Sequence, residues 1–191
     1  YFTDSVFNDP EDRFLKIADG LARSGGEGKW TGFFRPRRGW RRDAIALLKR
    51  SGLECVEWGT DAGTDATLAG LKKGFDWEAV LESNNMFADQ DIANGHFVIF
   101  GGPGETEASV AKGLSNLDGL RHSVVFAFLG IRIIPGTEVW RIAREEGLIA
   151  DDWNSLRETF YISPGLRRED GAAMIRRALG ANICRIYPPA S

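Results

Sequence analysis

Residues 95–117 read GHFVIFGGPGETEASVAKGLSNL and contain the three parts of one structural unit. The apolar run 95–100 is typical of a buried β-strand. The segment 101–105 is rich in glycine and proline, which indicates a loop whose backbone can approach a ligand closely. Thr106 stands where a helix N-cap is expected, and apolar residues then recur at helical spacing. This stretch therefore predicts a strand, a loop and a helix, in that order.

The same order of elements recurs on both sides of this unit. Tyr1-Phe2-Thr3 is typical of the end of a strand, Asp9-Pro10 predicts the start of the next helix, and Gly25-Gly26 predicts its end. The predicted strands are 1–3, 30–34, 54–58, 95–100 and 123–131, and the predicted helices are 10–22, 43–50, 65–73, 77–89, 106–117 and 137–147. Such an alternation is the signature of an α/β fold with a parallel sheet.

The C-terminal residues 148–191 are less regular than the rest of the chain. They predict a strand near Phe160 and a helix over about 170–179. We expect residues 1–147 to form the parallel array and residues 148–191 to be an extension that covers one edge or end of the sheet.

The composition excludes several classes of protein. The 191 residues suit one domain, and a formal net charge of -3 provides no general electrostatic reason to bind nucleic acid. The two cysteines, Cys55 and Cys184, are too few for a disulfide framework or a zinc site with paired thiolates. The longest apolar stretch, 124–134, is shorter than the roughly 20 residues that span a bilayer. We therefore expect a soluble, cytoplasmic protein with no membrane span.

Polar residues and glycines follow the predicted strands. Loops after parallel strands gather at one face, where ligands bind in barrels and in open sheets. Arg35 suits a ligand carboxylate, whereas Asp61 suits either ribose hydroxyls or a helix cap. Asp4 and Ser5 suit a turn more than a ligand contact when taken alone. The predicted binding residues are Asp4, Ser5, Arg35, Thr60, Asp61, Gly101, Gly102, Gly104, Glu105 and Thr106.

The sequence has no pattern for catalysis by side chains alone. His96 and His122 are its only histidines, and His96 lies in an apolar strand, where a hydrogen-bonded histidine of the core or of a cavity lining is commonest. Neither a nucleophile elbow nor a zinc-ligand cluster is present, and the glycine-rich loop matches neither the Walker nor the GxGxxG pattern. Chemistry at this face would therefore need a cofactor.

Four segments, in order along the chain, resemble motifs of the radical S-adenosylmethionine (SAM) enzymes. The opening segment 2–8 (FTDSVFN) is similar to the second-strand segment of the cobalamin-binding branch, in which proteins labelled as lipid-biosynthetic are the most similar. The segment 59–65 (GTDAGTD), followed by Lys73-Gly74, resembles GxESGSD…L…KG, with Asp61 in place of the glutamate. The segments 96–106 and 133–138 resemble the fifth-strand motif GxPGET and the sixth-strand motif PGTE.

The resemblance implies a partial (β/α)6 TIM-like barrel that lacks its first βα unit, with residues 1–147 supplying strands two to six. It also implies SAM and a [4Fe–4S] cluster as cofactors, cobalamin on a separate domain, and a small-molecule or lipid-like substrate. The implied reaction is reductive SAM cleavage with 5'-deoxyadenosyl radical chemistry, or cobalamin-dependent methyl transfer. By position, Asp4 and Ser5 would lie near the SAM amino group or the substrate, and Arg35 near the SAM carboxylate. Asp61 would lie near the ribose and the loop 101–106 near the adenine.

One family motif is absent, and this leaves alternatives open. The cluster-binding CxxxCxxC does not occur in the sequence, which begins with Tyr1 rather than Met. We expect the chain to be part of a longer enzyme and to be inactive alone. We also expect it either to be marginally stable or to self-associate through the edge left by the missing strand. One alternative is a non-catalytic barrel used as a binding scaffold. Another is a metal-dependent lyase or aldolase with its metal on Asp4, Asp61 and Glu105.

Overall fold

A computed structural model describes residues 1–25, 28–150, 152–180 and 182–187. Its strands are β1 (Trp30–Phe34), β2 (Leu53–Asp61), β3 (Ala93–Phe100), β4 (Ser123–Leu129), β5 (Ile131–Arg132), β6 (Phe160–Tyr161) and β7 (Arg185–Ile186). Its helices are α1 (Phe14–Arg23), α2 (Arg42–Arg50), α3 (Asp65–Gly70), α4 (Trp77–Ala88), α5 (Glu107–Asn116), α6 (Glu138–Glu145) and α7 (Arg168–Leu179), with a 3-10 turn at Leu117–Gly119.

Five strands form one parallel sheet in the order β1-β2-β3-β4-β7. Helices connect the first four strands, which confirms the predicted α/β fold of βα units. The sheet is not closed, so the molecule is a partial barrel. Before β1, Phe2 pairs in parallel with Gly32, and its N–H donates to the Thr31 carbonyl at 3.0 Å. The predicted opening strand is therefore reduced to a single bridge.

The two faces of the sheet differ in burial. Along β2, Val56, Trp58 and Thr60 are buried, whereas Cys55 and Glu57, which alternate with them, are only half-buried. The same alternation occurs in β1, β3 and β4, because successive side chains of a strand point to opposite faces. The buried face packs against the helices in two main clusters. We call the other one the open face; its side chains include those of Phe33, Cys55, Glu57, Phe97 and Phe126.

The first helix begins later than the sequence predicts. Asp9 does cap this segment, since its carboxylate accepts the N–H groups of Glu11, Arg13 and Phe14. However, Asp12 has a φ of 56°, a left-handed conformation that a helix does not contain. The helix therefore starts at Phe14 and not at Pro10. The predicted stop at Gly26 lies outside the described residues.

The predicted strand 123–131 is also divided in the structure. Gly130 has a φ of 93°, which ends β4 at Leu129. The chain then turns away, and Ile131–Arg132 pairs antiparallel with Phe160–Tyr161 in a separate two-stranded sheet. The strand predicted near Phe160 is present in this second sheet, and not in the main one.

The C-terminal residues contribute an edge strand that the sequence analysis did not predict. Arg185–Ile186 forms β7 and pairs in parallel with β4. The preceding helix, α7, packs against α5. Among the described residues, no helix is long and apolar enough to cross a lipid bilayer.

Candidate functional site

Arg35 lies directly after β1, at the carboxyl edge of the sheet. Asn8, which is buried, fixes its backbone from both sides: the Asn8 Oδ1 accepts the Arg35 N–H at 2.7 Å, and the Asn8 Nδ2 donates to the Arg35 carbonyl at 2.9 Å. The guanidinium donates to the Lys73 carbonyl and lies 5.7 Å from the centre of the Phe75 ring. The exposed Arg35 head group is therefore held at the strand end that the sequence predicted.

Asp61 ends the neighbouring strand and reaches the same edge. The register between β2 and β3 shifts after Trp58, and Asp61 has a φ of 60°. This places the carboxylate in an ion pair with the Lys73 ammonium, both groups being about two-thirds buried at the side chain. Asp61 and Thr60 are thus the last residues of β2, whereas the sequence placed them in the loop after it. Asp61 does not cap the following helix, because Thr64 does.

Lys73 joins Arg35 to Asp61 and was missed as a site residue. Its carbonyl accepts from Arg35, and its ammonium binds Asp61. Its sequence signal was the Lys73-Gly74 pair, which entered the prediction only as part of a family motif. Lys72 is paired with Glu138 at 3.5 Å, at the start of α6. Arg35, Lys72 and Lys73 thus bring three cations to the same edge as the Asp61 carboxylate, which makes this edge suitable for an anionic group.

A cavity of about 460 Å³ opens beside these residues. Three of the predicted binding residues, Ser5, Arg35 and Asp61, line it together with Lys72, Lys73, Gly59, Leu71, Phe75, Val6 and Phe34. Asp4 is exposed and does not line this cavity. A second cavity of about 390 Å³ is also lined by Arg35, together with Asn8, Arg37, Arg38 and Asp76 among others.

The glycine-rich loop lies at the same edge, but Glu105 turns inward. Its carboxylate accepts the N–H groups of Gly101 and Gly102, and the residue is 1% exposed. Burial raises the pKa of this carboxyl, and the two amide donors oppose the rise only in part. Gly101 and Gly104 have φ values of 88° and 76°, which the loop needs to fold around Glu105. Glu105 therefore braces the loop, with its side chain turned to the amides of the loop and not to the cavity.

Thr106 and Thr60 both use their hydroxyls in contacts within the chain. Thr106 caps α5 and forms a reciprocal capping box with Ser109. Thr60 is fully buried, and its Oγ1 lies 2.8 Å from the Nδ1 of His96. Thr106 thus has the capping role that the sequence predicted, whereas the buried Thr60 hydroxyl faces the core.

His96 is a core histidine, the first of the two alternatives that its apolar surroundings predicted. Its Nε2 lies 3.0 Å from the Oδ1 of Asn84 in α4, and its Nδ1 meets Thr60. The amide oxygen requires a donor, so Nε2 carries the proton and Nδ1 accepts from the hydroxyl. Burial and, secondarily, the charge of Arg185 lower the pKa of His96 to about 3. A neutral, enclosed imidazole of this kind links β2, β3 and α4 and has no access to the cavity.

The described residues do not fit an iron–sulfur cluster or a divalent-metal site. Cys55 is half-buried in the middle of β2, and Cys184 is exposed before β7. A [4Fe–4S] cluster needs a set of thiolates close together. In the described ranges, no group of three or more His, Cys, Asp or Glu residues is placed to hold a metal ion. Asp61 faces Lys73 and Glu105 faces amides, so the metal site of the lyase alternative does not form.

Comparison with known proteins gives similarity at the level of structure. No protein-family model and no curated protein matches the sequence. Two structures of the radical SAM methyltransferase TsrM from Kitasatospora setae match 99% of this chain with a TM-score of 0.80, one with cobalamin and a [4Fe-4S] cluster bound (18% identity) and one with tryptophan substrate and the SAM analogue aza-SAM bound (19% identity). Coproporphyrinogen III oxidase (HemN) from Escherichia coli, also a radical SAM enzyme, matches 88% of this chain and 36% of its own length, with a TM-score of 0.57 and 13% identity.

The two TsrM structures establish the fold of this chain. The 191 residues span 45% and 44% of the length of those two chains, so they correspond to less than half of either. Within that span, the partial α/β barrel is the fold of radical SAM enzymes, as the motifs implied.

Proposed function

We propose that this chain is the SAM-binding part of a radical SAM enzyme. One observation carries the proposal: nearly the whole chain superimposes on an enzyme barrel that holds a SAM analogue in one of its structures. The motifs that resembled this family add support, since Arg35, Asp61 and the loop 101–106 all lie at the carboxyl edge of one parallel sheet. That edge is where ligands bind in such folds.

The residues around the cavity suit the parts of SAM. Arg35 and Lys73 provide cations for the carboxylate, and Asp61 provides a carboxylate for the ribose hydroxyls. The glycines of the loop, Gly101, Gly102 and Gly104, allow the adenine to approach the backbone. Ser5 lines the cavity and is assigned, with the adjacent Asp4, to the amino end of SAM or to the substrate.

The remaining chemistry is assigned to a longer protein that contains this chain. Radical SAM enzymes obtain a 5'-deoxyadenosyl radical or a methyl group from SAM. Two separated cysteines do not provide the ligands of a [4Fe–4S] cluster, so the 191 residues alone bind SAM without cleaving it. We assign cobalamin to a separate domain, the substrate to the small-molecule or lipid-like class, and the enzyme to the cytoplasm.

Binding of SAM to the 191-residue chain tests the proposal, by isothermal titration calorimetry without reductant. Asp61→Asn and Lys73→Gln should each weaken SAM binding about tenfold, because each removes a charge-assisted contact. Asparagine tolerates the left-handed backbone of Asp61, so the first variant keeps the local fold.

Two surface variants are the controls for this titration. Asp19→Asn removes an exposed ion pair with Arg23 in α1, and Lys112→Gln changes an exposed lysine in α5; both should bind SAM as the parent chain does. A folded chain that does not bind SAM, or that binds it equally well in all four variants, contradicts the proposal. Anaerobic reconstitution should yield no stoichiometric four-iron absorption, and its appearance would refute the assignment of the cluster to another segment.

A further inference from the structure

The open face of the sheet carries a row of aromatic rings from three strands. Phe33 in β1 lies 5.8 Å from Phe97 in β3, and Phe97 stacks on Phe126 in β4 at 5.1 Å with an interplanar angle of 12°. Tyr1 adds an edge contact to Phe33 at 6.2 Å. The three phenylalanines are half-buried, although large aromatic side chains of the opposite face, such as Trp58 and Phe100, are fully buried. The row therefore offers ring faces and edges on the side of the sheet away from the helices.

Glu57 stands within this aromatic surface. It pairs across the sheet with Phe33 on one side and with Gly95 on the other. A Cβ at Gly95 would meet only the Val56 carbonyl at 3.7 Å and the Glu57 Cγ at 3.8 Å, which are ordinary contact distances. Glycine at this position leaves the space beside the carboxylate unfilled, so a ligand atom can approach it.

The charge of Glu57 has no cationic partner among the described residues. Its carboxylate accepts one hydrogen bond, from the Tyr1 hydroxyl at 3.3 Å, and forms none of the ion pairs of the described chain. Burial, followed by the charge of Glu57, raises the pKa of the neighbouring Cys55 thiol. A half-buried carboxylate beside aromatic rings is complementary to a cation carried on a flat apolar body, because both the carboxylate and the ring faces attract positive charge.

The open face leads directly into the candidate SAM cavity. Gly59 follows Glu57 on the same face of β2, and it lines the cavity beside Arg35 and Asp61. A ligand on the aromatic row would thus lie next to a ligand in the cavity. A flat protein partner suits this surface less well, because the centres of protein interfaces are depleted of unpaired charges.

We propose that the open face binds the substrate, and that this substrate is an aromatic ring bearing an amine. The inference rests on the proposed function, since it makes the aromatic row the neighbour of the SAM site. Glu57 binds the ammonium group, and Phe33, Phe97 and Phe126 contact the ring.

Three probes of similar size separate charge from ring recognition: 2-phenylethylamine, 3-phenylpropionate and 2-cyclohexylethylamine. Binding of each to the 191-residue chain is measured by NMR titration. The aromatic amine should bind about tenfold more tightly than the aromatic acid, because only the amine pairs with Glu57. It should bind about threefold to tenfold more tightly than the saturated amine, which lacks the aromatic contacts.

Paired variants locate the site. Glu57→Gln should abolish the preference for amine over acid, whereas Glu54→Gln, on the same strand but exposed and paired with Lys29, should keep it. Phe97→Leu should abolish the preference for the aromatic over the saturated amine, and Phe160→Leu, on β6, should keep it.

Several outcomes would overturn this inference. The first is equal binding of the amine and the acid. The second is probe binding that neither Glu57→Gln nor Phe97→Leu changes. The third is a dimer of the chain, detected by sedimentation, that dissociates as the probe binds. A SAM titration on the same samples separates the two proposals. If SAM binds and the aromatic amine does not, the substrate inference alone fails; if SAM does not bind, the proposed function fails first.

Discussion

His96 illustrates how burial changes the chemistry of a single side chain. The His96 imidazole is neutral in the core and hydrogen-bonded at both nitrogens. Taking up a second proton either breaks these bonds or places a charge in the core without water, and both cost free energy. Its pKa of about 3 in the folded protein lies below the ordinary value of 6.5 expected in the unfolded chain. The unfolded state therefore binds this proton more tightly than the folded state does.

The stability of the protein should fall as the pH decreases from 6.5 towards 3. The contribution of His96 is complete above pH 6.5, and it decreases by up to about 1.4 kcal/mol per pH unit below that value. Urea unfolding at pH 7.0, 5.5 and 4.5 measures the slope, and His96→Gln should reduce it. His122→Gln, at a half-exposed position outside the core, should retain the slope of the parent chain. Identical slopes for His96→Gln and the parent would show that this histidine does not control acid stability.

Asp61 and Glu105 show which part of the site could be predicted at the scale of the residue. Both were predicted from their positions after strands, and both lie at the carboxyl edge. Asp61 reaches the cavity, whereas Glu105 folds back onto the amides of its own loop. Position along a parallel strand determines the edge at which a residue lies. The direction of its side chain depends on the loop geometry, which the sequence analysis did not predict.

At the scale of elements, α5 approaches the loop after β2 through two glycines. A Cβ at Gly63 would lie 2.8 Å from the Cα of Gly113, and a Cβ at Gly113 would lie 3.0 Å from the Phe100 ring. Asn116 closes the contact by donating to the Gly63 carbonyl at 2.8 Å. This close backbone contact connects the loop after Asp61 with the helix that follows the glycine-rich loop.

Gly63→Ala should therefore destabilise the protein by about 2 kcal/mol, because overpacking against backbone forces the helix to move. The free energy of unfolding in urea is the measurement. Gly20→Ala is the matched control: Gly20 lies in α1, where a Cβ meets no atom within 4 Å, so alanine should stabilise the protein by about 0.5 to 1 kcal/mol. Equal stability of Gly63→Ala and the parent chain would contradict the close packing.

At the scale of the whole molecule, the edge beside β1 is partly covered by the first residues of the chain. The N–H groups of Phe2 and Phe7 donate to the carbonyls of Thr31 and Phe33, at 3.0 and 2.7 Å. Two acceptors on the edge of β1 are thus occupied. Self-association through this edge stays a prediction, and these two hydrogen bonds limit the part of the edge that a second chain could pair with.

Deletion of residues 1–5 should increase self-association, because it exposes the Thr31 carbonyl and the rim of the sheet. Light scattering over a range of protein concentrations measures the mean mass of the deletion variant and of the parent chain. Leu156→Ser removes a side chain that is 90% exposed and leaves the edge unchanged, so it should scatter as the parent does. A deletion variant that stays at the parent's mass at every concentration would show that this edge does not drive association.

The sequence by itself determined the order of strands and helices, the parallel sheet and the edge that carries the candidate site. These features follow from local periodicity, capping residues and glycine positions, which act over a few residues. Only the tertiary structure decided that Lys73 joins Arg35 to Asp61, that Glu105 and Thr60 point inward, and that β7 extends the sheet. Each of these depends on contacts between residues distant in sequence. Such contacts form only when the packing of the whole sheet sets the distance between its strand ends.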